Sequence, residues 1–201
     1  MRVYLDLDEV LVDFVGGACK LFGLTYEQVR QHWVPGEWSI NNALGKALGL
    51  GGPLPEDELW GRIDNNTDFW LNLSPLPWAD DMLQLVKTLA DEWYIVSSPS
   101  RCETSYLGKL RWLARKFGPS FDNYVLTSHK HLLDKKRSIL IDDQDSTIDK
   151  FCLGGGIGIV FPRHNNRMHS WKDRPFKYVE QLLRYWIKPR PVTNTASPVV
   201  K

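Results

Sequence analysis

Five short apolar runs, set apart by segments of helical period, constrain this chain more than any other feature. They are Arg2–Leu5, Trp93–Val96, Tyr124–Leu126, Ser138–Ile141 and Gly158–Phe161. Each is long enough for a strand and too short for a helix. Met82, Leu85, Val86, Leu89 and Ala90 form an apolar stripe at helical spacing. Leu107, Leu110, Leu113, Ala114 and Phe117 form a second, stopped by Gly118-Pro119. Helical patterns also run near Val12 to Phe22 and Pro175 to Trp186. Strands alternating with helices predict an α/β fold with a parallel sheet covered by helices on both faces.

Residues 16–78 break the alternation and read as a small helical cap inserted after the first strand. One of its helices starts on a capping box, Thr25-x-x-Gln28. The predicted core is then 1–15 and 79–187. The proline-rich stretch 188–201 reads as a disordered tail. Gly154-Gly-Gly-Ile-Gly158 reads as a turn into the fifth strand, and His129 and His131 as solvated histidines.

The balance of 25 basic and 24 acidic residues gives a net charge of +1. It offers no reason to expect a stable nucleic-acid complex or binding to a membrane surface. No apolar run approaches the roughly 18 residues of a transmembrane helix. Asp6, Asp8, Glu9 and Asp13 interrupt any signal-peptide core. Three widely spaced cysteines, Cys19, Cys102 and Cys152, suit a reducing compartment, and a cytoplasmic location is expected.

Ligands of open parallel sheets bind at the carboxyl ends of the strands. The first run ends in Asp6-Leu-Asp8, the second in Ser97-Ser98-Pro99, the third leads to Lys130 and the fourth ends in Asp142-Asp143. Asp6 and Asp8, wedged between apolar residues, suit a nucleophile and a general acid: one carboxylate attacks phosphorus, the other protonates the leaving oxygen. Hard carboxylate oxygens from Asp6, Asp8, Asp142 and Asp143 suit Mg2+. Ser97, Ser98 and Lys130 suit phosphate oxygens. Four carboxylates less Lys130 leave three negative charges; a divalent cation and a protonated Asp8 bring the site to neutrality. A phosphate dianion then enters without repulsion. Arg163, His164 and Arg167, after the fifth run, form a basic loop that reads as wet surface, with contact to substrate as the alternative.

The four strand ends, Asp6-Leu-Asp8-Glu-Val10, Ser97, Lys130 and Asp142-Asp143, resemble in order and spacing the motifs of the haloacid dehalogenase-like (HAD) phosphatases. Val10-Leu-Val-Asp-Phe14, Phe69-Trp-Leu-Asn-Leu-Ser-Pro-Leu-Pro77, Leu140-Ile-Asp-Asp143, His164-Asn165 and Ser170-Trp171 are similar to segments of the 5′(3′)-deoxyribonucleotidases. The resemblance implies a Rossmann-like core, a helical cap, Mg2+ and hydrolysis of nucleoside monophosphates. Glu9 departs from it, standing where those nucleotidases usually have Gly. The cap aromatics offer a stacking surface for a base, with Trp38, Phe69 and Trp70 as candidates, and Phe14, which follows the Asp6–Asp8 loop, is a candidate for the pocket floor. A phosphatase or phosphotransferase for another small phosphoester, or a catalytically idle phosphate-binding module, fits the same core.

Overall fold

A computed structural model describes residues 1–133 and 135–187; the predicted tail, 188–201, lies outside the described residues. The five runs form β1 (Arg2–Leu5), β2 (Glu92–Ser97), β3 (Tyr124–Leu126), β4 (Ser138–Asp142) and β5 (Ile157–Val160). All neighbours pair in parallel, in the order β3-β2-β1-β4-β5. Alternate residues serve opposite faces, as the strand period of two requires. Val3, Leu5, Ile139 and Ile141 enter the larger core, whereas Tyr4 and Leu140 join Ile148 and Phe151 in a second one. The sheet is therefore covered on both sides, which a parallel sheet needs.

After β1 the chain forms five short helices and no strand before the longer helix that leads into β2: α1 (Phe14–Leu21), α2 (Tyr26–Arg30), α3 (Asn41–Ala47), α4 (Glu56–Asp64) and α5 (Thr67–Leu71). The capping box at Thr25 is present in full. α1 begins two residues later than the apolar pattern suggests, because Val12 belongs to a tight loop. The amides of Leu11 and Val12 both donate to the Leu7 carbonyl, at 2.8 and 3.0 Å, and Asp13 caps the helix at the Gly16 amide.

The remaining helices are α6 (Ala79–Leu89), α7 (Glu103–Phe117), α8 (Asp145–Leu153) and α9 (Pro175–Trp186). In α6 the expected stripe buries Met82, Leu85 and Val86. In α7 the leucine stripe is misphased. Leu107 and Leu110 are exposed, and the buried face is Ser105, Gly108, Lys109, Trp112 and Leu113. Gly108 shows why: a Cβ there would stand 2.3 Å from the Trp70 Cβ, so α7 crosses α5 where no side chain fits. That rotation turns Lys109 toward the strand ends.

Candidate active site

β1 is the central strand, with β2 on one side and β4 on the other. The sheet order reverses there, and the carboxyl ends of β1 and β4 flank the resulting crevice. The Asp6 amide donates to the Ile141 carbonyl at 2.9 Å, which ties the two strand ends together. Ligand oxygens of Asp6, Asp142 and Asp143 all lie within 4.8 Å of one another, and all three residues are buried. Lys130, in a 3-10 turn after β3, places its Nζ 2.7 Å from both Asp6 and Asp142.

Burial raises the Asp6 carboxyl to about 7, aided by Asp142 and Asp8 and opposed by Lys130. Burial likewise pushes Asp143 well above its ordinary value, with Asp142 and Asp6 adding to it. Burial alone would lower the Lys130 ammonium, but Asp142 and Asp6 outweigh it and hold the group above its usual range. Two of the three crowded carboxylates, Asp6 and Asp142, thus share one ammonium, and Asp143 has no part in that pairing. Asp143 Oδ2 is buried with no hydrogen-bond partner. An orphaned hard oxygen beside two more is a donor set that fits a divalent cation such as Mg2+.

The Asp8 carboxylate stands outside this trio. It pairs with Lys109 Nζ, which also donates to Ser97 Oγ at 3.0 Å and lies 4.6 Å from the Trp70 ring centre. Ser97 is fully buried, and the cleft wall at that strand end is made by Ser98, Pro99 and Ser100. The Ser98 hydroxyl donates to the Thr127 carbonyl at 3.1 Å. Lys109 was missed in the sequence because it stands inside a helix whose leucines suggest another face.

Glu9 was singled out only as a departure from a glycine, and it adopts φ +57°, the left-handed region glycine prefers. Its carboxylate accepts from the Val15 amide at 2.8 Å and from Arg163 Nε at 2.7 Å. Arg163 and His164 are accordingly not wet surface. Both are held inside, Arg163 by Glu9 and His164 by the Trp33 carbonyl, 2.9 Å from Nε2. Arg167 remains half-exposed and pairs with Asp149 and Asp145.

Above the acids opens a cleft of about 730 Å³. Phe14, Trp33, Trp38, Trp60 and Trp70 line it. Phe69 does not. It is buried behind them and meets Phe14 and Trp70 edge-on, with ring centres 5.5 and 5.1 Å apart. The cleft therefore has a floor of buried acids and aromatic walls.

Residues 1–184 match the family model of the 5′ nucleotidase, deoxy (pyrimidine), cytosolic type C proteins. The chain belongs to that family. Relatives at 26% identity include the mitochondrial 5′(3′)-deoxyribonucleotidase of Mus musculus, over 86% of this chain and 82% of that protein. The cytosolic-type human enzyme matches at the same identity over 86% and 90%. A solved HAD family hydrolase from Deinococcus radiodurans shares the fold, with a TM-score of 0.54 at 15% identity over 94% of this chain and 98% of that one. A hydrolase from Streptococcus pneumoniae superposes at 0.51 and 15% identity, over 84% and 96%. The fold is thus the HAD-type α/β fold, and this member of the nucleotidase family is a HAD-like phosphoric monoester hydrolase. Among the described residues no helix is long and apolar enough to cross a membrane.

Proposed function

We propose that this chain is a Mg2+-dependent 5′-nucleotidase that hydrolyses (deoxy)nucleoside monophosphates in the cytoplasm through an aspartyl-phosphate on Asp6. The observation that carries the reading is the two-ended cleft, an acidic floor at the sheet's switch point facing five aromatic side chains. A bare phosphate site needs only the floor; flat aromatic walls suit a base. The names of the family and of the relatives support the same substrate class.

Lys130 and the Leu7 amide, each 2.7 Å from Asp6 Oδ1, fix the carboxylate. An Asp6 oxygen bonds to phosphorus as the ester P–O bond breaks. Asp8 gives its proton to the departing nucleoside oxygen, then takes one from the water that releases phosphate. Both carboxyls end as they began. Ser98 and Lys130 line the phosphate end, and Ser97 acts on it through Lys109. Asp6, Asp142 and Asp143 would hold Mg2+, which when bound supplies charge neutralisation for the phosphoryl group.

A substrate panel with and without Mg2+ tests the proposal, with Asp6→Asn as the control. Nucleoside monophosphates should be hydrolysed faster than glycerol phosphate or p-nitrophenyl phosphate, only with metal. Folded Asp6→Asn should show no turnover. Preference for a simple phosphoester would replace the substrate class, and normal turnover by Asp6→Asn would overturn the mechanism.

A further inference from the structure

Past β5 the chain carries four consecutive polar side chains, Arg163 to Asn166, into the interior. Three of them are tied to different walls of the site. Arg163 goes to Glu9 in the loop after β1. His164 goes to the Trp33 carbonyl in the cap, and its own carbonyl accepts from the Gly36 amide at 2.8 Å. Asn166 donates to the carbonyls of Asp143 and Phe161, both at 2.8 Å, and accepts from the amides of Arg163 and Met168.

Asn165 is the exception. It is only 5% exposed, it lines the cleft, and its side-chain amide has no partner among the described residues. The residue is otherwise enclosed, so its amide is a polar group that reaches the open cleft without a protein partner, the kind of placed polar group that orients a ligand in an apolar pocket. Its chain neighbours fix its height. His164 is anchored to the cap and Asn166 to the acidic floor, so Asn165 stands between the aromatic walls and the carboxylates. A nucleotide with its phosphate on the floor and its base among the rings puts its pentose at that level.

We propose that Asn165 hydrogen-bonds the pentose of the substrate. The inference rests on the nucleotidase reading and adds a specificity contact to it. An amide carries both donor and acceptor, and so does a sugar hydroxyl; an ether or a methylene offers no such match. The three anchored neighbours hold the amide in place before substrate arrives, which spares the ordering cost on binding.

The test compares a 2′-deoxynucleoside 5′-monophosphate, its 2′,3′-dideoxy analogue and p-nitrophenyl phosphate on wild type, Asn165→Ala and Asn165→Leu. Both variants should fold, since the amide makes no bond within the protein. Each should lose roughly 2- to 13-fold in kcat/KM on the deoxynucleotide, the range of one neutral hydrogen bond. Neither should lose more than about twofold on p-nitrophenyl phosphate or on the dideoxy analogue, because the contact is already missing there. An equal loss on all three substrates, an unchanged ratio of deoxy to dideoxy rates, or unfolding of both variants would overturn the contact. Wild type that hydrolyses no nucleotide faster than p-nitrophenyl phosphate would overturn the nucleotidase reading and the contact together, a result distinct from loss of the contact alone.

Discussion

Lys109 and Asp8 form an ion pair across 101 positions of sequence, joining the middle of α7 to the loop after β1. The lysine side chain is 1% exposed and the aspartate 22%. Lys109 also reaches Ser97, so one cation ties the ends of β1 and β2. It revises the charge balance of the floor. With a second ammonium present, a divalent cation alone neutralises the four aspartates, and protonation of Asp8 leaves a surplus positive charge for the phosphate.

Lys109→Met should therefore impair both stability and chemistry. Breaking a fully buried pair costs about 3–5 kcal/mol, and the partial exposure of Asp8 puts this one toward or below the lower end. Phosphorylation of Asp6 should slow by roughly 10²-fold, the scale of a misplaced catalytic group. The cycle with Asp8→Asn should be non-additive in urea unfolding, by about 0.5–3 kcal/mol. Additive losses would mean the two side chains act independently.

The crowded acids predict an inverted pH dependence for metal-free protein. Asp6 is raised from 3.8 to about 7 by burial, and Asp143 is raised as well. The folded state then keeps protons that the unfolded state has released, so stability falls as pH rises from about 3.8 to about 7. A bound divalent cation reverses that logic by favouring the charged forms. Thermal unfolding in EDTA should show a falling Tm across this window. Mg2+ should raise Tm most at the alkaline end, and Asp143→Asn should weaken both effects. A Mg2+ shift unchanged in Asp143→Asn would remove that residue from the metal site.

The strands were legible because each is a short apolar run with no competing helical period; three of their ends carry their chemistry in adjacent residues, and Lys130 follows the third strand by four positions. Lys109 was hidden for the opposite reason. Its helix carries leucines on an exposed face, and only the close approach of Gly108 to Trp70 decides which side is buried. Arg163 and His164 looked solvated because their partners, Glu9 and Trp33, lie more than a hundred residues away. A signal was available: Pro162-Arg-His-Asn-Asn166 follows the fifth strand directly, at the edge from which the other four ends were read.

Glu9 carries two opposed contributions. A non-glycine residue in the left-handed region costs roughly 1–2 kcal/mol, which Glu9→Gly would relieve. The same change strands Arg163, whose side chain is 12% exposed, without its carboxylate. Loss of one partner of a buried pair costs about 3–5 kcal/mol, so the ion pair wins and Glu9→Gly should destabilise by roughly 1–4 kcal/mol. Arg163→Met placed on top should recover part of that loss. Chemical denaturation of the three variants checks the order; a Glu9→Gly protein more stable than wild type would show that backbone strain dominates.

The aromatic candidates now divide. Trp38 is 50% exposed and lines the cleft, whereas Phe69 is 6% exposed and packs behind it against Phe14 and Trp70. Stacking on a base contributes roughly 1–3 kcal/mol. Trp38→Ala should then lower kcat/KM for a nucleoside monophosphate by about five- to 150-fold, leave p-nitrophenyl phosphate nearly unchanged and barely move Tm. Phe69→Ala empties a packed site and should cost about 3–5 kcal/mol of stability. Its effect on rate should be equal for the two substrates and should follow the folded fraction. Both measurements are needed, because a fall on one substrate cannot separate lost stacking from loosened packing around the cleft. Should Phe69→Ala be selective for the nucleotide at full stability, the packed ring shapes the base site through Phe14 and Trp70, and the division between wall and core fails.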